Sequence, residues 1–130
     1  MPRWSAARRS PREVEIHNAG HLPAIVAGRG GVLRIESTGL PLGMFLEGEF
    51  SATRLHMEPG DTLFLYTDGL SEARRADDEY GVDRVAHLVR QQASRPPAEL
   101  IAACLDDLRG FAGTGPLQDD LSLLAIRRSN

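Results

Sequence analysis

The sequence predicts an α+β domain, with two helices laid on one side of a largely antiparallel sheet. Three observations predict it. Short apolar strands separated by Gly- and Pro-rich turns fill the first half, two segments of helical periodicity follow, and one more apolar strand comes near the end. The 130 residues amount to one domain, and at 42% hydrophobic and 25% charged they can bury one core.

The elements follow in order. Residues 1–12 hold four Arg, two Pro and no acid, which predicts a disordered basic leader. Val14 and Ile16 alternate with Glu13, Glu15 and His17, the pattern of a half-buried strand. Asn18 to Pro23 is a turn-rich break. Ala24 to Ala27 is a second strand, Gly28 to Gly31 a hairpin turn, and Val32 to Ile35 the returning strand. Ser37 to Gly43 reads as a loop and Ser51 to Met57 as another strand. Glu58 to Asp61 is a turn before Thr62 to Thr67, whose near-continuous apolar run predicts burial on both faces. A helix is expected from Gly81 to about Ala93, broken by Arg95-Pro96-Pro97. A second helix starts near Pro97 with Leu100, Ile101, Cys104, Leu105, Leu108 and Phe111 along one stripe, and ends at Gly110, Gly113 and Gly115. Leu121 to Ile126 is expected as a last buried strand.

Composition excludes several classes. The net charge of −3 gives no electrostatic reason for a nucleic-acid partner, although all 15 basic residues are Arg. One Cys rules out an internal disulfide framework or a Cys-based zinc site. No apolar run approaches the roughly 18 residues of a membrane span, and the N-terminus has no apolar signal core, so no membrane role is expected and the cytoplasm is the expected location.

Chemistry can be sought at two acidic features. Asp68 follows the strand TLFLYT directly, and Asp119-Asp120 directly precedes LSLLAI. Carboxylates at the ends of rigid strands can be held still for a hard cation such as Mg²⁺ or Mn²⁺. Taken singly, Asp68-Gly69 also reads as a hairpin-turn dipeptide and Asp119-Asp120 as a solvated loop. Asp77-Asp78-Glu79 reads as a solvated face, His56 and His87 as lone residues, and Cys104 as a core residue on an apolar stripe. Gly28 to Gly31 lacks the Lys-Ser/Thr ending of a phosphate loop.

Taken in order, NAGHLPAIV (18–26), GLPLG (39–43), EPGDTLFLYTDGLSEAR (58–74), YGVDR (80–84) and QDDLSLLAIRR (118–128) resemble the PPM-type metal-dependent serine/threonine protein phosphatases, in their bacterial SpoIIE-like branch. The resemblance covers residues 13–128 and implies the C-terminal part of an αββα sandwich, two packed sheets flanked by helix pairs. It implies a metal-dependent phosphoserine/phosphothreonine phosphatase using two Mn²⁺ or Mg²⁺ ions and a metal-bound water, acting on a regulatory phosphoprotein such as an anti-sigma-factor antagonist. By the same resemblance Asp68 and Asp119 match metal-ligating aspartates. Asp120 would support them or serve as an alternative ligand, Gly69 would let the backbone turn tightly beside the metal, and Asn18, Gly20 and His21 would shape the site. No catalytic residue is assigned. The family's first half, with a strand bearing an aspartate ligand and an Asp-x-x-Gly-His-Gly-like motif, has no counterpart in residues 1–12. Two expectations follow: a non-catalytic regulatory module or inactive truncated product is the alternative to an enzyme, and exposed apolar surface leads to self-association.

Overall fold

The structure, a computed structural model, describes residues 3–8, 13–19, 21–36, 53–113 and 120–129. Among them, two antiparallel sheets stack face to face and helices cover one outer side. The first sheet has the order β1-β2-β5, from Arg3–Arg8, Glu13–Ala19 and Thr53–His56. The second is β4-β3-β6-β9. It is built from β3 (Ala24–Gly28), β4 (Gly31–Ile35), β6 (Thr62–Tyr66) and β9 (Leu123–Arg127). Short helix α1 (Asp68–Ser71), hairpin β7 (Arg74–Arg75) and β8 (Asp78–Glu79), then α2 (Gly81–Gln92) and α3 (Pro97–Ala112), lie between β6 and β9 in the chain.

Local chemistry accounts for most of these elements. Arg29-Gly30 closes the β3–β4 hairpin with Gly28 opposite Gly31, and Gly31 has φ +111, a backbone that favours glycine. Pro97 starts α3, where its missing N–H is no loss, and Gly113 at φ +81 ends it. The stripe Leu100, Cys104, Leu108 and Phe111 is the buried face of that helix. Because β6 is a central strand, its two sets of alternating side chains enter two cores. Phe64 and Tyr66 join Ile25, Leu70, Val85, Val89, Leu100 and Cys104 beneath the helices. Leu63 joins Ile16, Val26, Ile35 and Met57 between the sheets. Phe64 and Ile25 are fully buried, so truncating Phe64 would cost about 3–5 kcal/mol.

The layers match the expected α+β partial sandwich with its mostly antiparallel sheets. Four local expectations differ. In place of a disordered leader over residues 1–12, Arg3–Arg8 is a strand, paired along its whole length with β2 from Arg3↔Ala19 to Arg8↔Val14. An exposed sheet edge offers backbone hydrogen bonds to any extended segment, and an Arg-rich strand is tolerated there. The same pairing carries β2 through Asn18 and Ala19, where a turn is expected. Asp68-Gly69 opens α1 rather than a hairpin turn. The strand β9 is not buried: it is the edge of its sheet, and Leu124 and Ile126 are 51% and 47% exposed. The loop expected at Ser37 to Gly43 and the glycine at 115 lie outside the described residues.

Around α3, Tyr80 Oη donates to Asp107 Oδ2 at 2.5 Å, and the Tyr80 ring meets Phe111 edge-on at 5.4 Å. Arg84 and Arg75 lie over Phe111 at 4.3 and 4.9 Å, fastening the β7–β8 hairpin and α2 to α3. Burial pushes the Tyr80 hydroxyl up, and its bond to Asp107 adds to that.

Burial, with a smaller contribution from Asp107, also pushes the Cys104 thiol up from 9.0 to about 12. The unfolded thiol therefore ionises first, the folded state binds more protons, and stability falls as pH rises from 9.0 toward about 12. Two outcomes are expected: the native protein reacts slowly with a thiol reagent that labels the unfolded chain at once, and Cys104→Ala flattens the alkaline part of a denaturation–pH profile. Rapid native labelling would place the thiol outside the core.

Candidate functional site

Antiparallel register gathers the motif-bearing segments at one end of the second sheet. Ala24 pairs with Ile35, Ile25 with Phe64, and Tyr66 with Leu123. The start of β3, the end of β4, the end of β6 and the start of β9 therefore share that end. Residues 21–23, the Asp68–Ser71 helix and Asp120–Ser122 all lie there, and the chain leaves β4 from the same place.

The corner between β6 and β9 is held by one residue. Thr67 donates its Oγ1 hydrogen to the Asp120 carbonyl at 3.2 Å and accepts the Ser122 N–H on the same oxygen at 3.0 Å. Its own N–H donates to the Ser122 carbonyl at 3.1 Å. Thr67 stands at the N-cap position of α1, yet makes no side-chain cap hydrogen bond to it, because its hydroxyl is spent on the neighbouring strand. Gly69 is where the two segments touch: a Cβ there would lie 2.1 Å from the Asp120 carbonyl oxygen. Leu70, fully buried, anchors the short helix in the core beneath α2 and α3.

This seam sets Asp68 and Asp120 on facing backbone segments, both of them exposed. Asp119, the first acid of the pair, lies outside the described residues, as does Gly20. Asn18 is buried and acts as a pin: its Nδ2 donates to the Leu22 and Ile35 carbonyls at 2.9 and 3.5 Å, and its Oδ1 accepts the His21 N–H at 2.9 Å. The His21 ring lies 3.4 Å from the Leu22 carbonyl. His17 pairs with Glu15 and His56 with Glu58.

Carboxylate oxygens are the donors a hard divalent cation takes, so the chemistry of Asp68 and Asp120 fits Mn²⁺ or Mg²⁺. Their number does not yet fit two ions: among the described residues no three His, Cys, Asp or Glu side chains gather into a metal-holding group. Sequence reasoning passes over Thr67 and Ser71. The signal for Thr67 is a hydroxyl residue immediately before Asp-Gly at a strand end. Ser71 Oγ is buried without a hydrogen-bond partner, and nothing in its sequence context marks it.

Gly69→Ala is expected to force the seam apart and to destabilise the fold by about 1–3 kcal/mol. Gly110→Ala, in α3 with open space around it, should instead be neutral or stabilise by about 0.5–1 kcal/mol. Denaturant melts of both variants check this; equal effects would mean that the close approach at Gly69 is absent.

Known proteins are similar to this chain in sequence and in fold. A family model described as Stage II sporulation protein E (SpoIIE) matches residues 6–129. Protein IcfG of Synechocystis sp. (strain ATCC 27184 / PCC 6803 / Kazusa) is 30% identical over 114 residues, covering 86% of this chain and 18% of that protein. Phosphoserine phosphatase RsbU of Bacillus subtilis (strain 168) is 25% identical over 113 residues, covering 85% of this chain and 33% of that protein. The solved SiaA-PP2C domain of Pseudomonas aeruginosa is similar in fold, with a TM-score of 0.77 at 22% identity, over 89% of this chain and 46% of that one. The chain thus spans less than half the length of each of these proteins. With a family model over nearly all its residues and a matching fold, the chain belongs to the SpoIIE-like branch of the PPM-type phosphatase domains.

Proposed function

We propose that the chain works as part of a metal-dependent phosphoserine/phosphothreonine protein phosphatase. Its substrate would be a bacterial regulatory phosphoprotein in the cytoplasm, such as an anti-sigma-factor antagonist. The observation that supports this most is the seam at Thr67 and Gly69, which brings the Asp68 helix against the Asp120 segment. The similarity to a phosphoserine phosphatase supports the substrate class.

In this reading Asp68 and Asp119 hold a divalent ion, with Asp120 supporting them or replacing one. When bound, such ions lower the pKa of water, hold the phosphate and neutralise charge in the transition state. The chain's own residues set the geometry. Thr67 keeps the two acid-bearing segments in register, Gly69 permits their contact, and Leu70 fixes the helix that carries Asp68. Asn18 holds the loop through His21 and Leu22 beside the start of β3. A second ion would need donors beyond the described residues.

Calorimetric titration with Mn²⁺ tests the reading. Wild type should bind Mn²⁺, and Asp68→Asn should weaken binding roughly tenfold or more, as removal of a charged ligand does. No Mn²⁺ site in wild type, or equal binding by both, would overturn it. Mn²⁺ binding without hydrolysis of a phosphoserine peptide would make the chain a non-catalytic module with the family's fold.

A further inference from the structure

The other end of the same sheet carries a different chemistry. The β3–β4 turn, the Glu58–Asp61 turn before β6, the last turn of α2 and the end of β9 enclose an open recess of about 770 Å³. Three arginines from three separate elements line it: Arg29 from the hairpin turn, Arg90 from α2 and Arg127 from β9. Among the described residues none of the three enters an ion pair, whereas Arg34, Arg54, Arg75, Arg84 and Arg109 all do.

The two acids in the wall each have a partner but remain carboxylates, so the lining sets three guanidiniums against two carboxylates. Glu58 Oε1 lies 3.0 Å from His56 Nε2, and Asp61 Oδ2 accepts the Glu58 N–H at 2.9 Å, capping its own turn. The wall is also firm. Gly60 N–H donates to the Arg128 carbonyl at 2.8 Å, and Arg128 N–H to the Asp61 carbonyl at 2.9 Å, so the turn is tied to the end of β9. Gly28, Gly30 and Gly60 keep the wall low, and the Arg127 guanidinium lies along the Gly60 turn, 3.8 Å from where a Cβ would stand.

Guanidiniums free of ion pairs that line one recess suit a multiply charged oxyanion, because each presents a fork of donors that matches paired oxygens. We propose that this recess binds a phosphate group between Arg29, Arg90 and Arg127. Its volume exceeds that of one phosphate and admits a phosphorylated side chain with its flanking peptide. This site lies at the pole opposite Asp68 and is independent of the metal reading.

The test is amide chemical-shift mapping of the whole chain in EDTA, so that no divalent ion takes part, with inorganic phosphate and with a short phosphoserine peptide as separate probes. Shifts are expected at Gly28, Gly30, Gly60 and Ser94, with Asp68 to Leu70 unmoved. Arg90→Gln with Arg127→Gln should weaken binding roughly tenfold or more, the size expected for lost charge-assisted hydrogen bonds. Arg109→Gln, on α3 and paired with Asp106, should change nothing. A peptide that binds more tightly than inorganic phosphate identifies a phosphoprotein segment as the occupant; equal binding identifies the free anion. No shift at the recess, or binding that survives the double substitution in a chain whose other amides are unchanged, overturns the proposal.

Discussion

The Thr67 hydroxyl ties the end of one central strand to the start of its neighbour, and the candidate site depends on that tie. One oxygen both donates to Asp120 and accepts from Ser122, and each such bond contributes about 0.5–1.5 kcal/mol net. The larger consequence is positional. Thr67 spends its side chain sideways instead of on the helix it starts, so Asp68 enters α1 already locked to the segment carrying Asp120. Gly69 completes the constraint, since no side chain fits between it and the Asp120 carbonyl.

That corner is rigid because of what lies behind it. The strand β6 feeds both cores, with Phe64 and Tyr66 on the helical side and Leu63 on the side of the other sheet. A shift at Thr67 would have to disturb packing in both layers, which close-packed interiors resist. The antiparallel sheet also separates two chemistries by its own length: acids where β6 ends and β9 starts, unpaired arginines where β3 turns and β9 ends.

Strongly local features were legible in the sequence. The run TLFLYT reads as a buried strand, the apolar stripe of α3 places Cys104 in the core, and Gly28 to Gly31 reads as a hairpin, all as observed. What failed depends on partners distant in the chain. Nothing local in an Arg-rich segment announces that β2 has an open edge, so Arg3–Arg8 reads as a leader. Leu124 and Ile126 look buried from their composition, but exposure follows from β9 being the last strand of its sheet, a property of topology. Asp68-Gly69 looks like a hairpin turn because the hydroxyl that decides otherwise bonds to a carbonyl 53 residues away. The resemblance to a phosphatase family lies in the order of the motifs and not in any one of these local patterns.

The convergence of the two acid-bearing segments on one ion is tested most directly by paramagnetic broadening with substoichiometric Mn²⁺. Amide signals of Gly69 and Leu70 should broaden together with those of Leu121 and Ser122, while Gly30 and Gly60 at the far end of the sheet stay sharp. Broadening of one segment without the other, or of all of them equally, would contradict a shared metal position at the Thr67 corner.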